Sequence, residues 1–238
     1  MKSLLIILIS AILCSGCSKK ENDAQNPNSV TFKPISSLKT YSYLALGDSY
    51  TIGEAVLQYG SFPYQLVQVL KTDSDAFEEP KIIAKTGWTT DDLILAIKSS
   101  ELKDKYDFVT LLIGVNNQYR GYDIEKYKLE FKQLLQTAIT KAGGNPQKVF
   151  VISIPDYGVT PFVKNSDREK IGKEIDQYNQ IAYDISKNLN ANYLDITPIS
   201  RLAKTDNSLI ANDGLHPSAK MYQLWVASLS KQVIANLK

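Results

Sequence analysis

The chain has 238 residues and a formal net charge of +2, from 27 Lys and Arg against 25 Asp and Glu. Hydrophobic residues make up 44% and charged residues 22%, values that exclude disordered, collagen-like and coiled-coil chains. So small a net charge gives no strong electric field that would attract nucleic acid, although a local basic patch is compatible with it. No nucleic-acid partner is expected. A single His and two Cys exclude zinc sites of the Cys₂His₂ or Cys₄ type. Chemistry that depends on histidine has one candidate, His216.

The N-terminal segment is a short apolar run, residues 4–13, preceded by Lys2. It is too short to span a bilayer, which needs roughly 20 apolar residues, and it matches a signal-peptide core. Two small residues then precede Cys17, which resembles the junction where a bacterial lipoprotein is cleaved and its Cys acylated. We therefore expect residues 1–16 to be a removable leader and Cys17 to anchor the protein to a membrane of the bacterial cell envelope. The alternative is an ordinary secretory signal that leaves Cys17 as a free thiol.

Residues 17–40 are polar and rich in Asn and Ser, with few periodic apolar positions. Such a composition cannot bury enough apolar surface to order itself, so we expect a flexible tether after the lipidated Cys. The tether would hold the domain on the periplasmic or the outer face of the envelope. The folded domain is expected over residues 41–238, with a monomer as the default.

Strand and helix patterns alternate through this domain. Short apolar runs predict strands at 43–46, 81–84, 108–113, 149–154 and 193–196. Helical spacing of apolar residues predicts helices at 63–71, 90–99, 124–142, 167–189 and 218–237. This alternation predicts one α/β domain with a mostly parallel sheet and helices on both faces. Ligands of such sheets bind at the carboxyl ends of the strands.

The residues able to do chemistry follow the predicted strands. The first strand ends in Gly47-Asp48-Ser49, and the second is followed by Gly87. The third is followed by Gly114-Val115-Asn116, which brings a side-chain amide to the end of that strand. Asp213-Gly214-Leu215-His216 lies on the loop before the last helix. Acyl transfer needs a Ser nucleophile, a His base, a carboxylate that orients the His, and donors for the oxyanion. All four parts are expected at the same edge of the sheet.

These segments resemble the four sequence blocks of the SGNH/GDSL hydrolases, in the family's order and across the whole domain. The resemblance implies a three-layer α/β/α sandwich with a five-stranded parallel sheet of the flavodoxin-like kind. It also implies a serine esterase in which Ser49 is the nucleophile, His216 the base and Asp213 the residue that orients it. The oxyanion hole would be formed by the N–H groups of Ser49 and Gly87 and the side chain of Asn116. No metal or organic cofactor would be needed.

One departure from the family's pattern is Asn117, where the family often has Asp. We expect this change to tune activity and not to abolish it. Asp48 is expected to brace the turn before Ser49 through hydrogen bonds to the backbone. Four aromatic residues could line an acyl pocket, although the sequence does not show where their side chains point: Tyr50, Tyr119, Tyr157 and Phe162.

The resemblance leaves the substrate of a lipase/acylhydrolase-like esterase open. Small acyl or acetyl esters of glycans or lipids are the first hypothesis, because the sequence has no long apolar lid segment. The alternative within the family is a lysophospholipase or thioesterase-like enzyme acting on lipid esters. The alternative outside catalysis is an envelope lipoprotein that uses the same fold for binding. Intact Ser49, Asn116, Asp213 and His216 argue against this last hypothesis.

Overall fold

The computed structural model describes residues 39–72, 74–164 and 167–237. The predicted leader, the lipidation site Cys17 and the tether up to residue 38 lie outside the described residues. Within the described part of the chain, no helix has both the length and the apolar character that a membrane crossing requires.

Seven strands are found in the described residues. In chain order they are β1 (Lys39–Tyr41), β2 (Tyr43–Asp48), β3 (Asp75–Phe77), β4 (Lys81–Lys85), β5 (Phe108–Leu112), β6 (Val149–Ile152) and β7 (Asn192–Leu194). Five of them form one parallel sheet in the order β4-β2-β5-β6-β7. The chain adds β4 on one side of β2 and the later strands on the other side. The strand order therefore switches between β2 and β5, the place where flavodoxin-like sheets bind their ligands.

In the part of the chain that the structure describes, eight α-helices connect and cover these strands. They are α1 (Ser49–Ile52), α2 (Phe62–Leu70), α3 (Thr90–Ser99), α4 (Val115–Tyr119), α5 (Ile124–Lys141), α6 (Arg168–Asn188), α7 (Thr197–Arg201) and α8 (Ala219–Leu237). Helix α2 packs against α8, while α5 packs against both α3 and α6. The sheet lies between these two groups of helices, so the expected three-layer α/β/α sandwich is confirmed.

The predicted strands and helices are all present, and their ends agree with the sequence patterns to within two residues. The central strands β2, β5 and β6 are buried along their whole length, as continuous apolar runs require in a sheet covered on both faces. A local signal marks the start of α3, where Thr89 and Asp92 form a capping box and the Asp92 carboxylate accepts the N–H of Thr89 at 3.1 Å.

The structure adds a small feature that the sequence did not predict. Strands β1 and β3 pair in parallel, and the ring of Tyr41 stacks on Phe77 with centroids 4.9 Å apart. Lys39 and Thr40 thus belong to a strand and not to the tether, which was predicted to extend to residue 40. Strands of three residues are too short to show an alternating pattern, and the pairing partner lies more than thirty residues away.

Candidate active site

The turn that presents Ser49 is formed by the direct passage from β2 into α1. A Cβ atom on Gly47 would lie 2.0 Å from Thr51 Oγ1 and 2.4 Å from the carbonyl oxygen of Leu112, so only Gly allows this close approach. The carboxylate of Asp48 accepts a hydrogen bond from the N–H of Tyr50 at 3.0 Å, which confirms its predicted bracing role. Ser49 is the first residue of α1, where backbone N–H groups have no partner within the helix.

His216 is held by Asp213 on the loop before α8. Its Nδ1 lies 2.5 Å from Asp213 Oδ2, and Asp213 Oδ1 accepts the backbone N–H groups of Leu215 and His216, both at 3.0 Å. Partial burial raises the pKa of Asp213, but the hydrogen bonds from His216 and from the two N–H groups outweigh it and bring the pKa below its usual value. An ionised Asp213 favours a proton on Nδ1 of His216 and leaves Nε2 as an acceptor.

Ser49, Asn116 and His216 line one cavity of about 130 Å³. All four aromatic residues suggested for an acyl pocket also line it, together with Val115 and Leu215. The His216 ring is buried and packs at 59° to the ring of Tyr50, with centroids 5.4 Å apart. Ser49 Oγ makes no hydrogen bond to any described residue, His216 included, which leaves the hydroxyl free. A hydrogen bond between a nucleophile and its base commonly tightens only when substrate binds.

The turn after β4 is held by hydrogen bonds from two side chains, one within α4 and one at its C-terminal end. Gly87 has a φ of +83°, in the left-handed region that favours glycine, and its carbonyl accepts a hydrogen bond from Arg120 at 2.6 Å. The next carbonyl, of Trp88, accepts from Asn116 Nδ2 at 2.9 Å. One amide N–H of Asn116 is thereby used and the other remains for a ligand. Gly87 does not line the cavity; the hydrogen bond from Asn116 to the neighbouring Trp88 connects its turn to a residue that does. The side chain of Trp88 packs against the core.

Asn117 lies in a buried hydrogen-bond network that the sequence did not predict. Its Nδ2 donates to Thr90 Oγ1 at 2.7 Å and its Oδ1 accepts the Thr90 N–H at 3.1 Å. The Thr90 hydroxyl donates its one proton to Glu130 at 2.6 Å. The network joins α4, which carries Asn116, to the start of α3 and to α5. Asn117 is therefore joined to the site through its neighbours, and its own side chain does not line the cavity.

In residues 39–72, 74–164 and 167–237, no cluster of three or more His, Cys, Asp or Glu side chains could hold a metal ion.

Most of the folded domain matches one known protein family. Residues 45–224 match the model of the GDSL-like lipase/acylhydrolase family. The chain belongs to this family. Members of such a family are hydrolases of carboxylic esters, and the match covers the residues from β2 to the first part of α8.

Individual relatives of this family member are distant in sequence. An acetylxylan esterase of Geobacillus stearothermophilus is 22% identical over 157 residues, which cover 62% of this chain and 68% of that protein. The crystal structure of an acetylxylan esterase from the same organism superposes with a TM-score of 0.61 at 18% identity, over 82% of this chain and 95% of that chain. A lipolytic protein of the G-D-S-L family from Veillonella parvula DSM 2008 gives 0.62 at 16%, over 80% and 96%. The structures share the fold.

The buried carboxyl of Asp48 makes stability depend on pH. Burial raises its pKa to about 7, from 3.8 in the unfolded chain, against a smaller lowering by the Tyr50 N–H. Between these values the unfolded chain releases a proton that the folded protein keeps, so stability falls as pH rises and levels off above about 7. Relative to Asp48→Asn, we expect the wild type to lose up to about 4 kcal/mol of unfolding free energy between pH 4 and pH 8.

Urea denaturation of both proteins at several pH values measures this difference. Asp104→Asn, at an exposed carboxylate, is the matched control and should follow the wild type. A constant difference between Asp48→Asn and the wild type from pH 4 to pH 8 would contradict the prediction.

The Thr90 network explains why Asn stands at position 117. In Asn117→Asp, a second carboxylate oxygen would face Thr90 Oγ1, whose only proton is already donated to Glu130. We expect this variant to lose about 1–3 kcal/mol of unfolding free energy. Adding Glu130→Gln supplies an amide donor to Thr90 and frees its proton, so the double variant should be more stable than Asn117→Asp alone. Thermal denaturation decides, and equal stability of the single and double variants would refute the network.

Proposed function

We propose that the protein is a serine esterase that hydrolyses carboxylic esters through an acyl-enzyme. The observation that carries the proposal is the arrangement of three side chains. The imidazole of His216 is held by Asp213 at 2.5 Å and lines the same cavity as the Ser49 hydroxyl and the Asn116 amide. These are the nucleophile, the oriented base and an oxyanion donor that acyl transfer requires.

The reaction has two halves that use the same residues. In the first, Ser49 Oγ attacks the ester carbonyl while His216 Nε2 takes its proton; the tetrahedral intermediate then expels the alcohol, which receives that proton. In the second, His216 takes a proton from water, the resulting hydroxide attacks the acyl group, and Ser49 leaves with the proton returned. Asp213 keeps the imidazole in one tautomer and stabilises its charged form.

The oxyanion would be stabilised by three donors of this chain. The N–H of Ser49, in the first turn of α1, and the N–H of Gly87 both donate to no residue in the described part of the chain. The second N–H of Asn116 completes the set, since the first is bound to Trp88. Because these donors are fixed before the reaction, they need no reorganisation in the transition state; loss of one such donor typically costs about 10²–10³ in kcat.

A small acyl group suits the cavity best. Its volume of about 130 Å³ is close to that of a cavity that holds benzene, about 150 Å³. An acetyl or butanoyl group fits such a space, and the acyl chain of a phospholipid does not. The acetylxylan esterase among the relatives adds support for acetyl esters of glycans. Short acyl esters of glycans or of small lipids are therefore proposed as substrates, ahead of a lysophospholipase or thioesterase-like activity.

Ser49→Ala tests the proposed chemistry. Purified wild type should hydrolyse p-nitrophenyl acetate, and Ser49→Ala should lose at least about 10⁴-fold in kcat because no nucleophile remains. Ser99→Ala, at an exposed serine at the end of α3, is the matched control and should keep full activity. Far-ultraviolet circular dichroism checks that each variant is folded. Equal rates for wild type and Ser49→Ala would rule out the esterase proposal.

The anchoring of the enzyme is a separate proposal, supported by the sequence around Cys17. We infer that Cys17 is acylated after removal of residues 1–16 and that the enzyme works on the envelope, outside the cytoplasm. In bacterial cells fed with labelled palmitate, the wild type should carry label and sediment with membranes. Cys17→Ala should carry no label and leave the membrane fraction, while Cys14→Ala should behave as the wild type. Membrane-bound, labelled Cys17→Ala would refute this inference.

A further inference from the structure

Three aromatic side chains separate the catalytic cavity from a larger cavity beside it. Tyr119, Tyr157 and Phe162, here called the aromatic wall, line both the 130 Å³ catalytic cavity and a side cavity of about 530 Å³. The ring of Tyr119 contacts the other two, with centroids 6.0 Å from Tyr157 and 6.2 Å from Phe162. The two spaces therefore share one partition that is a single side chain thick.

The members of the wall differ in how firmly they are held. Tyr157 is buried, whereas Tyr119 is 59% exposed and Phe162 44% exposed. A buried ring is fixed by its packing, and an exposed ring can be shortened by mutation without leaving a hole in the core. Phe162 and Tyr119 are therefore the removable part of the partition.

The backbone under Phe162 is fixed to the catalytic loop. Its N–H donates to the carbonyl of Gly214 at 2.9 Å, between Asp213 and His216 in the chain. Arg168 holds the same segment from the other side by donating to the carbonyls of Gly158, at 2.7 Å, and Val163. The backbone that carries Phe162 is thus tied to the loop that carries Asp213 and His216, as a residue that limits the length of a substrate must be.

We propose that the aromatic wall, and Phe162 in particular, sets the upper limit of acyl-chain length by closing the side cavity to the acyl group. The inference rests on the proposed esterase function and deepens it. With the phenyl ring of Phe162 removed, the two cavities join, and a medium acyl chain passes from the Ser49 ester toward Val163 and Ile171. Each methylene buried on this path favours binding by about fourfold, less where Lys170 and Glu174 line the space.

The test compares acyl preference in Phe162→Ala and in wild type. With p-nitrophenyl acetate, butanoate and octanoate, the wild type should prefer the short esters. The ratio of kcat/KM for octanoate to that for acetate should rise at least about tenfold in Phe162→Ala. The double variant Tyr119→Ala/Phe162→Ala should shift the ratio further. Leu129→Ala, which removes a side chain 71% exposed on α5, is the matched control and should leave the ratio unchanged.

Two results would overturn the inference while leaving the esterase proposal intact. One is an octanoate-to-acetate ratio that stays at the wild-type value in both Phe162→Ala and the double variant. The other is a changed KM for esters of bulky alcohols with acyl preference unaltered, which would assign the side cavity to the leaving group.

A binding measurement separates the wall from the chemistry. Calorimetric titration of octanoate into Ser49→Ala and into Ser49→Ala/Phe162→Ala needs no turnover. The double variant should bind at least about tenfold more tightly, and equal affinities would overturn the inference. A wild type that hydrolyses none of the esters would refute the esterase proposal, and this titration would still decide whether the wall limits chain length.

Discussion

The close contact of Gly47 with Thr51 and with the backbone of Leu112 is the constraint on which the site depends. A single added carbon would lie within 2.4 Å of both neighbours, so the central strand β2 can reach helix α1 without a connecting loop only if the residue is Gly. That direct passage places Ser49 at the first turn of a helix, on the rim of the sheet, with an N–H that donates to no described residue. The strand order then brings the end of β5, and Asn116 with it, beside the end of β2.

Two carboxyl groups close to Ser49 have opposite properties because their surroundings differ. Asp48 is fully buried and accepts one backbone N–H, so burial dominates and raises its pKa to about 7. Asp213 is partly exposed and accepts hydrogen bonds from His216 and two N–H groups, so its pKa is lowered and it stays charged at neutral pH. The charged Asp213 holds the imidazole of His216, and the buried Asp48 supports the turn at a cost in stability that grows with pH.

The first part of the loop between β6 and α6 is held by a partly buried ion pair. Arg201 donates to the buried carboxylate of Asp156 at 2.9 Å, and Asp156 in turn accepts the N–H of Gly158 at 2.8 Å. These charge-assisted hydrogen bonds hold the part of the loop that presents Tyr157 to the cavity lined by Ser49 and His216. The size of the cavity lined by Ser49 and His216 thus depends in part on the two rings, of Tyr157 and Phe162, that this loop presents.

The sequence by itself determined the α/β class, the five central strands and the order of the four motifs, because continuous apolar runs and helical spacing are local patterns. It also determined that His216 is the one histidine available and that Asp213 lies three residues before it. Only the tertiary structure decided which aromatic rings enclose the cavity, that Asn117 needs the proton arrangement of Thr90 and Glu130, and that Arg120 holds the turn at Gly87. It also paired Lys39 and Thr40 with a distant strand. These contacts join residues far apart in the chain. A local pattern of apolar and polar residues does not show which distant side chains will contact each other.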